Sequence, residues 1–218
     1  MFALETEEDW LKLRKQVITA TEAAVILGQN KYLSPAKMLE EKLHKTFVGN
    51  SYTNIGQLLE TVVIAVVNKT LKKKFVLLEQ DGLKVFYKHA EIKLGATPDA
   101  AEDRTFLECK TTKPLNYLRY KYNPPGNYLM QLQTQLYCAD YELGYLAIMS
   151  TDLSPEGPDS PIPITIFEVH RNSRLCDILR SEVNRFWDCI DNKKLFRVSS
   201  VVKKEVKILL DFCYRKVV

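Results

Sequence analysis

The sequence has no apolar run long enough to cross a membrane and no basic segment followed by an apolar one at its N-terminus. Its first ten residues, MFALETEEDW, are acidic instead. A transmembrane helix needs about 18 or more apolar residues in a row, and a signal peptide begins with positive charge. We therefore expect a soluble protein that stays inside the cell.

Cysteine is sparse, with five residues that are odd in number and scattered. No C-x-x-C pair occurs, and no pair of histidines lies near a cysteine. Zinc sites and disulfide frameworks both need closer or paired cysteines. The five are therefore predicted to be small buried hydrophobic residues in a reducing compartment: Cys109, Cys138, Cys176, Cys189 and Cys213.

Excess charge of one sign is also small, since the formal net charge is +4. That value favours a nucleic-acid partner only slightly. The lysine runs are typical of a solvated face, but the stretch YLRYKY interleaves Arg119 and Lys121 with three tyrosines. Because rings stack on bases and cations pair with phosphates, Arg119 and Lys121 are candidates for nucleic-acid binding.

The chain is long enough for a substantial core, with 218 residues of which 46% are hydrophobic. We predict a single domain over 1–218. It divides into an N-terminal helical region (1–53), a core that carries the candidate site (54–170) and C-terminal helices (171–218).

Apolar periodicity predicts helices and strands in alternation. Helices are predicted within 10–27, from Pro35 onward, from 54 or 56 to 70, and over 128–141, 172–192 and 200–214. Strands are predicted over 74–80, 83–92, 94–100, 105–111, 142–151 and 162–171, the first four forming an antiparallel meander. This order of elements is typical of an α/β sandwich around a mixed sheet.

An acidic residue followed two positions later by a lysine occurs five times, so the pair Glu108/Lys110 means little by itself. It differs from the others in context. On a strand both side chains point to one face, and a second acid, Asp99, is predicted on the preceding strand of the same hairpin. Glu60 adds an acid inside a largely apolar helix, where it needs solvent, a partner or a metal.

Two carboxylates on neighbouring strands can share Mg²⁺ or Mn²⁺, which prefer oxygen ligands and retain water molecules. A nearby ammonium can position or deprotonate such a water and stabilise the charge that develops during phosphodiester hydrolysis. The residues alone also allow a hairpin with ordinary surface charges. The helix YLMQLQTQLYCADY adds Gln131, Gln133 and Gln135, of which the first and last share a face and could hold a phosphate.

Four blocks of the sequence, in order, resemble a known family. They are RKQVITATEAAVILGQNKYLSPAKMLEEK, NIGQLLETVV, GATPDA with LECK, and YLMQLQTQLYCADYELGYLAIM. The chain is similar to the lambda-exonuclease-like (YqaJ-type) viral recombinase nucleases of the PD-(D/E)XK superfamily. The resemblance implies an α/β fold with a restriction-endonuclease-like core, a central mixed β-sheet flanked by helices, and helical extensions at both ends.

The resemblance also implies roles at the matching positions. Asp99 and Glu108 would bind the metal together with the backbone carbonyl of Cys109, and Lys110 would be the catalytic lysine. Glu60 would lie beside a second metal position.

Further roles follow from the helix and the N-terminal block. Gln131 would match the first glutamine of the family's Q-x-Q helix. Arg14 and Thr21 would bind the terminal 5′-phosphate, and Thr97, which matches the hydroxyl residue two before the active-site Asp, would contact phosphate. The lambda type has serine at both threonine positions. The added methyl group of threonine changes the geometry of that contact.

The activity implied is Mg²⁺-dependent 5′-to-3′ resection of double-stranded DNA ends for recombination or repair. A homotrimer, a single-strand annealing protein as partner and the cytoplasm of a bacterial or virus-infected cell are also implied, with the nucleus left open. Two alternatives stand beside it: a structure- or sequence-specific endonuclease on the same core, and a DNA-binding module without catalysis. The helix after about residue 195 lies outside the four blocks and either caps the core or builds an oligomer.

Overall fold

A computed structural model describes residues 6–44, 53–80, 83–153 and 161–218. The helices in these ranges are α1 (Glu7–Lys15), α2 (Ala20–Ile26), α3 (Pro35–His44), α4 (Thr53–Leu71), α5 (Pro114–Tyr120), α6 (Gly126–Ala139), α7 (Ser173–Asp191) and α8 (Ser200–Asp211). The strands are β1 (Ile18–Thr19), β2 (Val76–Leu77), β3 (Glu79–Gln80), β4 (Leu83–Lys84), β5 (Tyr87–Lys88), β6 (Leu94–Ala96), β7 (Ala100–Glu102), β8 (Thr105–Thr112), β9 (Leu143–Ser150), β10 (Ile164–His170) and β11 (Tyr214–Lys216).

The largest sheet has six strands in the order β11-β10-β9-β8-β7-β2. Strands β8 and β9 run parallel, with Glu108 opposite Leu146, and the other neighbours in the sheet are antiparallel. The parallel pair needs a crossover connection, which α5 and α6 provide. The sheet is therefore mixed, and this confirms the predicted α/β sandwich.

Alternation along the central strands separates two apolar layers. Phe106 and Leu146 belong to the cluster that contains α2, α6 and α7, whereas Leu107 and Tyr145 belong to the cluster under α4. Successive side chains of a strand point to opposite faces, so each central strand contributes to both layers. Glu108 and Lys110 share a face with Phe106 and thus lie on the α6 side.

Local signals in the sequence fix several helix ends. Thr19 and Glu22 form a capping box at the start of α2, and Gly28, with φ of +69°, follows its end. Asn172 caps α7 by accepting from the N–H of Leu175. Helix α7 covers the predicted range within one residue at each end.

Other predictions were wrong in detail. The segment predicted as a four-stranded meander is split among three sheets: β3 pairs with β4, β5 joins β6 and β1, and β2 pairs with β7. Strands β1 and β11 and helix α5 were not predicted. All three are short, and their pairing or packing partners are distant in sequence.

All five cysteines are free thiols, and four of them are buried. None of the helices in the described ranges has the length and apolar character needed to span a membrane.

Candidate active site

Glu108 and Lys110 lie on β8, under α6. Glu108 is fully buried, and its Oε1 atom accepts hydrogen bonds from Lys110 Nζ and, at 2.6 Å, from Gln131 Nε2. One turn further along α6, Gln135 donates from Nε2 to the other carboxylate oxygen. Three donors therefore stabilise one buried carboxylate, as burial of an ionised acid requires.

The three glutamines of α6 contact two different parts of the molecule. Gln131 and Gln135 share a face, as their spacing predicts, and each donates an amide N–H to Glu108. Gln133 faces elsewhere: it donates to the backbone oxygen of His170 at 2.6 Å and accepts from the N–H of Asn172 at 2.9 Å. Gln133 thus ties α6 to the junction of β10 and α7.

Asp99 lies in the bend just before β7, one residue outside the strand on which it was predicted. Its Oδ2 atom accepts from the backbone N–H of Cys109 at 2.8 Å. Its Oδ1 atom accepts from Lys84 Nζ at 2.9 Å. Asp99 therefore connects the bend to the middle of β8, beside Glu108.

Glu60 reaches the same place from α4. Lys84 Nζ donates to both of its carboxylate oxygens, at 2.9 and 2.8 Å, as well as to Asp99. The side chains of Glu60, Asp99 and Lys84 are 15%, 10% and 20% exposed, respectively. Of the three environments expected for Glu60 (solvent, a partner or a metal), the structure shows a partner: Glu60 shares Lys84 with Asp99 in one ion-pair cluster.

Burial dominates the electrostatics of the pair on β8. It raises the pKa of Glu108 to about 7, helped by the charge of Asp99 and opposed by Lys110 and Gln135. Burial alone would lower the pKa of Lys110, but the attraction of Glu108 and Asp99 outweighs it, so this pKa lies above its ordinary value. Lys110 is therefore a charged ammonium at neutral pH.

Burial and neighbouring charge also shift the pKa values of the second pair, Glu60 and Lys84. Burial, then the Asp99 carboxylate, raises the pKa of Glu60, while Lys84 opposes the rise. Burial would lower the pKa of Lys84, and the attraction of Asp99 and Glu60 reverses the direction. The ammonium groups thus reduce the cost of burying these acids next to one another.

Within the described ranges, no group of three or more His, Cys, Asp or Glu side chains is arranged to hold a metal ion as it stands. Two ammonium groups lie against the acids instead, Lys84 on Glu60 and Asp99, and Lys110 on Glu108. The donor chemistry still fits a hard divalent cation, because all three acids offer carboxylate oxygens. When all three acids are ionised, their negative charges exceed the two lysine charges by one.

Arg14 lies close to this centre. Its Nη1 atom donates to Oγ1 of Thr97 at 3.5 Å, and its guanidinium carbon lies 4.4 Å from the ring centroid of Trp10. Lys42 supports it by donating to the backbone oxygen of Arg14 at 3.0 Å and pairing with Glu22 at 2.9 Å. Since Thr97 is two residues from Asp99, this contact joins the N-terminal block to the acid cluster.

The remaining candidates for phosphate binding are dispersed. Thr21 is exposed in the first turn of α2. Arg119 lines a cavity of about 770 Å³ with Tyr32 and Lys207, whereas Lys121 lines a different cavity of about 500 Å³. The structure therefore brings Arg14 and Thr97 together and places Arg119 and Lys121 on separate surfaces.

Sequence reasoning missed Lys84. It stands in the stretch LKVFYKH, whose pattern predicts a strand but no site residue, and it meets Glu60 and Asp99 only through the tertiary fold. It also missed the position of Tyr128, whose ring centroid is 5.4 Å from Lys110 Nζ. Neither contact has a local signal in the sequence.

Comparisons with solved structures agree with this architecture. An alkaline exonuclease (LHK-Exo) from Laribacter hongkongensis aligns with a TM-score of 0.70 at 19% identity, covering 92% of this chain and 99% of that chain. The same protein in complex with dAMP gives 0.68 at 20% identity, covering 93% and 100%. A phage related exonuclease from Haemophilus somnus gives 0.61 at 15% identity, covering 84% and 97%. The shared fold confirms the predicted restriction-endonuclease-like core.

Sequence comparison gives the family. The uncharacterized protein YqaJ of Bacillus subtilis (strain 168) is 24% identical over a 194-residue alignment that covers 84% of this chain and 56% of that protein. The chain thus spans a little over half the length of this relative. Residues 9–142, more than half of the chain, match the family model described as the YqaJ-like viral recombinase domain. The chain therefore belongs to the YqaJ-like viral recombinase domain family.

Proposed function

We propose that this chain is a metal-dependent deoxyribonuclease that degrades double-stranded DNA from its ends, 5′ to 3′, in recombination or repair. The observation that carries the proposal is the convergence of Asp99, Glu108, Lys110 and Glu60 from three separate parts of the fold: the bend before β7, strand β8 and helix α4. Perturbed titratable groups gathered in this way are typical of active sites. Family membership and the fold shared with two proteins named as exonucleases support the proposal.

The acids would hold the metal. Asp99, Glu108 and the backbone carbonyl of Cys109 would bind one Mg²⁺ or Mn²⁺, and Glu60 would lie beside a second position. When bound, such an ion polarises a phosphoryl oxygen and lowers the pKa of a coordinated water. The thiol of Cys109 takes no part, because burial raises its pKa well above the ordinary value.

Lys110 would act on the attacking water and on the developing charge. Without metal, the attraction of the neighbouring acids holds its pKa above the ordinary value. As an ammonium it would orient the water and stabilise negative charge on the phosphate. Gln131 holds Glu108 from the opposite side at 2.6 Å. That hydrogen bond fixes the orientation of the carboxylate against α6.

Arg14 and Thr97 would bind the terminal phosphate. The Arg14 guanidinium and the Thr97 hydroxyl lie 3.5 Å apart, and both groups can donate hydrogen bonds to a phosphate. Thr97 is two residues before Asp99 in the chain, so this pair lies near the acids. A phosphate held there would place the next phosphodiester bond toward the acids, which favours removal of nucleotides from an end over internal cutting. The dAMP bound by the Laribacter protein is the kind of product that such removal releases.

The test uses linear duplexes with a 5′-phosphate, a 5′-hydroxyl or a blocked 5′ end, and a covalently closed circle, each with Mg²⁺ or with chelator. We expect degradation of the linear duplexes with Mg²⁺ alone, fastest with the 5′-phosphate, and an intact circle. Cutting of the closed circle would support the endonuclease alternative, and activity in chelator would remove the metal from the mechanism.

Lys110→Ala separates catalysis from DNA binding. Loss of the ammonium is expected to lower the rate by at least about 100-fold with little change in DNA affinity. Lys113→Ala, at an exposed position three residues away, is the matched control and should cut normally. DNA binding without cutting by the unmodified chain would support the non-catalytic alternative. The annealing partner and the homotrimer stay predictions from the resemblance.

A further inference from the structure

Lys84 uses all of its hydrogen-bonding capacity on two acids. An ammonium has three N–H donors, and the three contacts of Lys84 Nζ are the two oxygens of Glu60 at 2.9 and 2.8 Å and Oδ1 of Asp99 at 2.9 Å. No water or backbone group is needed to complete its shell. The geometry is that of a small cation held by carboxylate oxygens.

These same oxygens are the ones that a divalent ion at Asp99 and Glu60 would require. The other oxygen of Asp99 already accepts from the backbone N–H of Cys109. An ion that binds Oδ1 of Asp99 would lie a few ångströms from the ammonium, and like charges at such a distance repel strongly in a site this poorly solvated. Ammonium and divalent ion therefore exclude each other at these oxygens.

The position of Lys84 permits it to leave. Its side chain is 20% exposed, and among the strands that the structure describes, β4 pairs with β3 alone and not with the six-stranded sheet. A lysine stem can reach solvent while its backbone stays in place. Lys110 differs, because it lies on central strand β8 and pairs with the fully buried Glu108.

We propose that Lys84 is a built-in counter-cation that a divalent metal displaces from Glu60 and Asp99, so that Lys84 sets the metal affinity of the site. This inference rests on the metal-dependent function proposed above. The ammonium stabilises the acid pair when metal is scarce and weakens metal binding by competition.

The experiment is calorimetric titration of the full chain with Mn²⁺, with thermal melting measured in parallel. Lys84→Met removes the charge and keeps most of the stem. We expect it to bind Mn²⁺ roughly tenfold more tightly or better, which is the effect of about 1.4 kcal/mol. Without metal it should melt at a lower temperature than the unmodified chain, and Mn²⁺ should raise its melting temperature by more.

Three further variants make the result specific. Lys84→Gln is also uncharged and carries the same expectation if the methionine variant fails to fold. Lys84→Arg keeps the charge and should bind Mn²⁺ no more tightly than the unmodified chain. Lys88→Met, at an exposed position on the neighbouring strand β5, is the matched control and should leave the affinity unchanged.

Asp99→Asn distinguishes failure of this inference from failure of the proposed metal site. If Asp99→Asn abolishes Mn²⁺ binding but neither neutral variant of Lys84 strengthens it, the inference is overturned and the metal site stands. Weaker binding by the neutral variants would overturn the inference as well. If neither the unmodified chain nor the neutral variants of Lys84 bind Mn²⁺ at millimolar concentration, the metal-dependent function and the inference fail together.

Discussion

Oδ2 of Asp99 accepts a hydrogen bond from the backbone N–H of Cys109 at 2.8 Å, and both groups are buried. The bond joins the bend before β7 to the middle of β8. It also places the charge of Asp99 beside Glu108, which contributes to the raised pKa of that acid. One side chain therefore has a part in both the stability and the electrostatics of the site.

Substitutions of Asp99 should separate its contribution to stability from its contribution to the electrostatics of the site. Asp99→Asn retains an oxygen for the Cys109 N–H, whereas Asp99→Ala leaves that buried donor without a partner, at a cost of about 1–3 kcal/mol. We expect both variants to lose nuclease activity and only the alanine variant to lose this much stability. Urea unfolding measures the difference, and equal stability of the two variants would contradict the role given to the hydrogen bond.

Glu108 should make the stability of the metal-free protein depend on pH. Its pKa of about 7 in the folded chain exceeds that of an unfolded glutamate. The folded state therefore retains a proton that the unfolded state loses, and this contribution is present at low pH and disappears as pH rises through 7. We expect a slope of up to about 1.4 kcal/mol per pH unit between pH 5 and 7.

Glu108→Gln is the control for that slope. The amide does not titrate, so the slope of unfolding free energy against pH should flatten in the variant. An unchanged slope would assign the pH dependence to another group.

Gln135 should lower the pKa of Glu108. It donates to Glu108 from a fully buried position, and its hydrogen bond favours the ionised carboxylate. Gln135→Leu should raise the pKa of Glu108 further and shift the pH midpoint of Mn²⁺ affinity upward. Gln133→Leu, on the other face of α6, should reduce stability without moving the midpoint, and a shift in both variants would count against a specific role.

Arg14 should determine the preference for a 5′-phosphate. Arg14→Ala removes the guanidinium next to Thr97, and we expect the rate advantage of 5′-phosphorylated over 5′-hydroxyl duplex to fall by about tenfold or more. Arg14→Lys should keep part of the preference through its charge. Lys15→Ala, the exposed neighbour, is the control, and an equal loss there would indicate a general charge effect.

The parts of this structure that follow local rules were predictable. The strand period placed Glu108 and Lys110 on one face, the helical period placed Gln131 and Gln135 on another, and the Asn172 cap marked the start of α7. Each of these depends on residues a few positions apart. The part of the acid cluster that Asp99 and Glu108 form was predictable for the same reason, because the two acids lie in one predicted hairpin.

The contacts that could not be predicted depend on distant parts of the chain. Lys84 meets Glu60 across 24 positions, and Arg14 meets Thr97 across 83. Strand β1 has two residues and exists because β6 pairs with it in parallel. No periodicity is detectable over two residues, so tertiary context alone determines such elements.

The outer strands of the six-stranded sheet have a consequence for self-association. One edge is β11, with three residues, and the other is β2, with two. Edges this short offer few unpaired N–H and C=O groups for a further strand, which disfavours chains joining edge to edge into fibrils. Association of two copies through the edges of this sheet is therefore disfavoured.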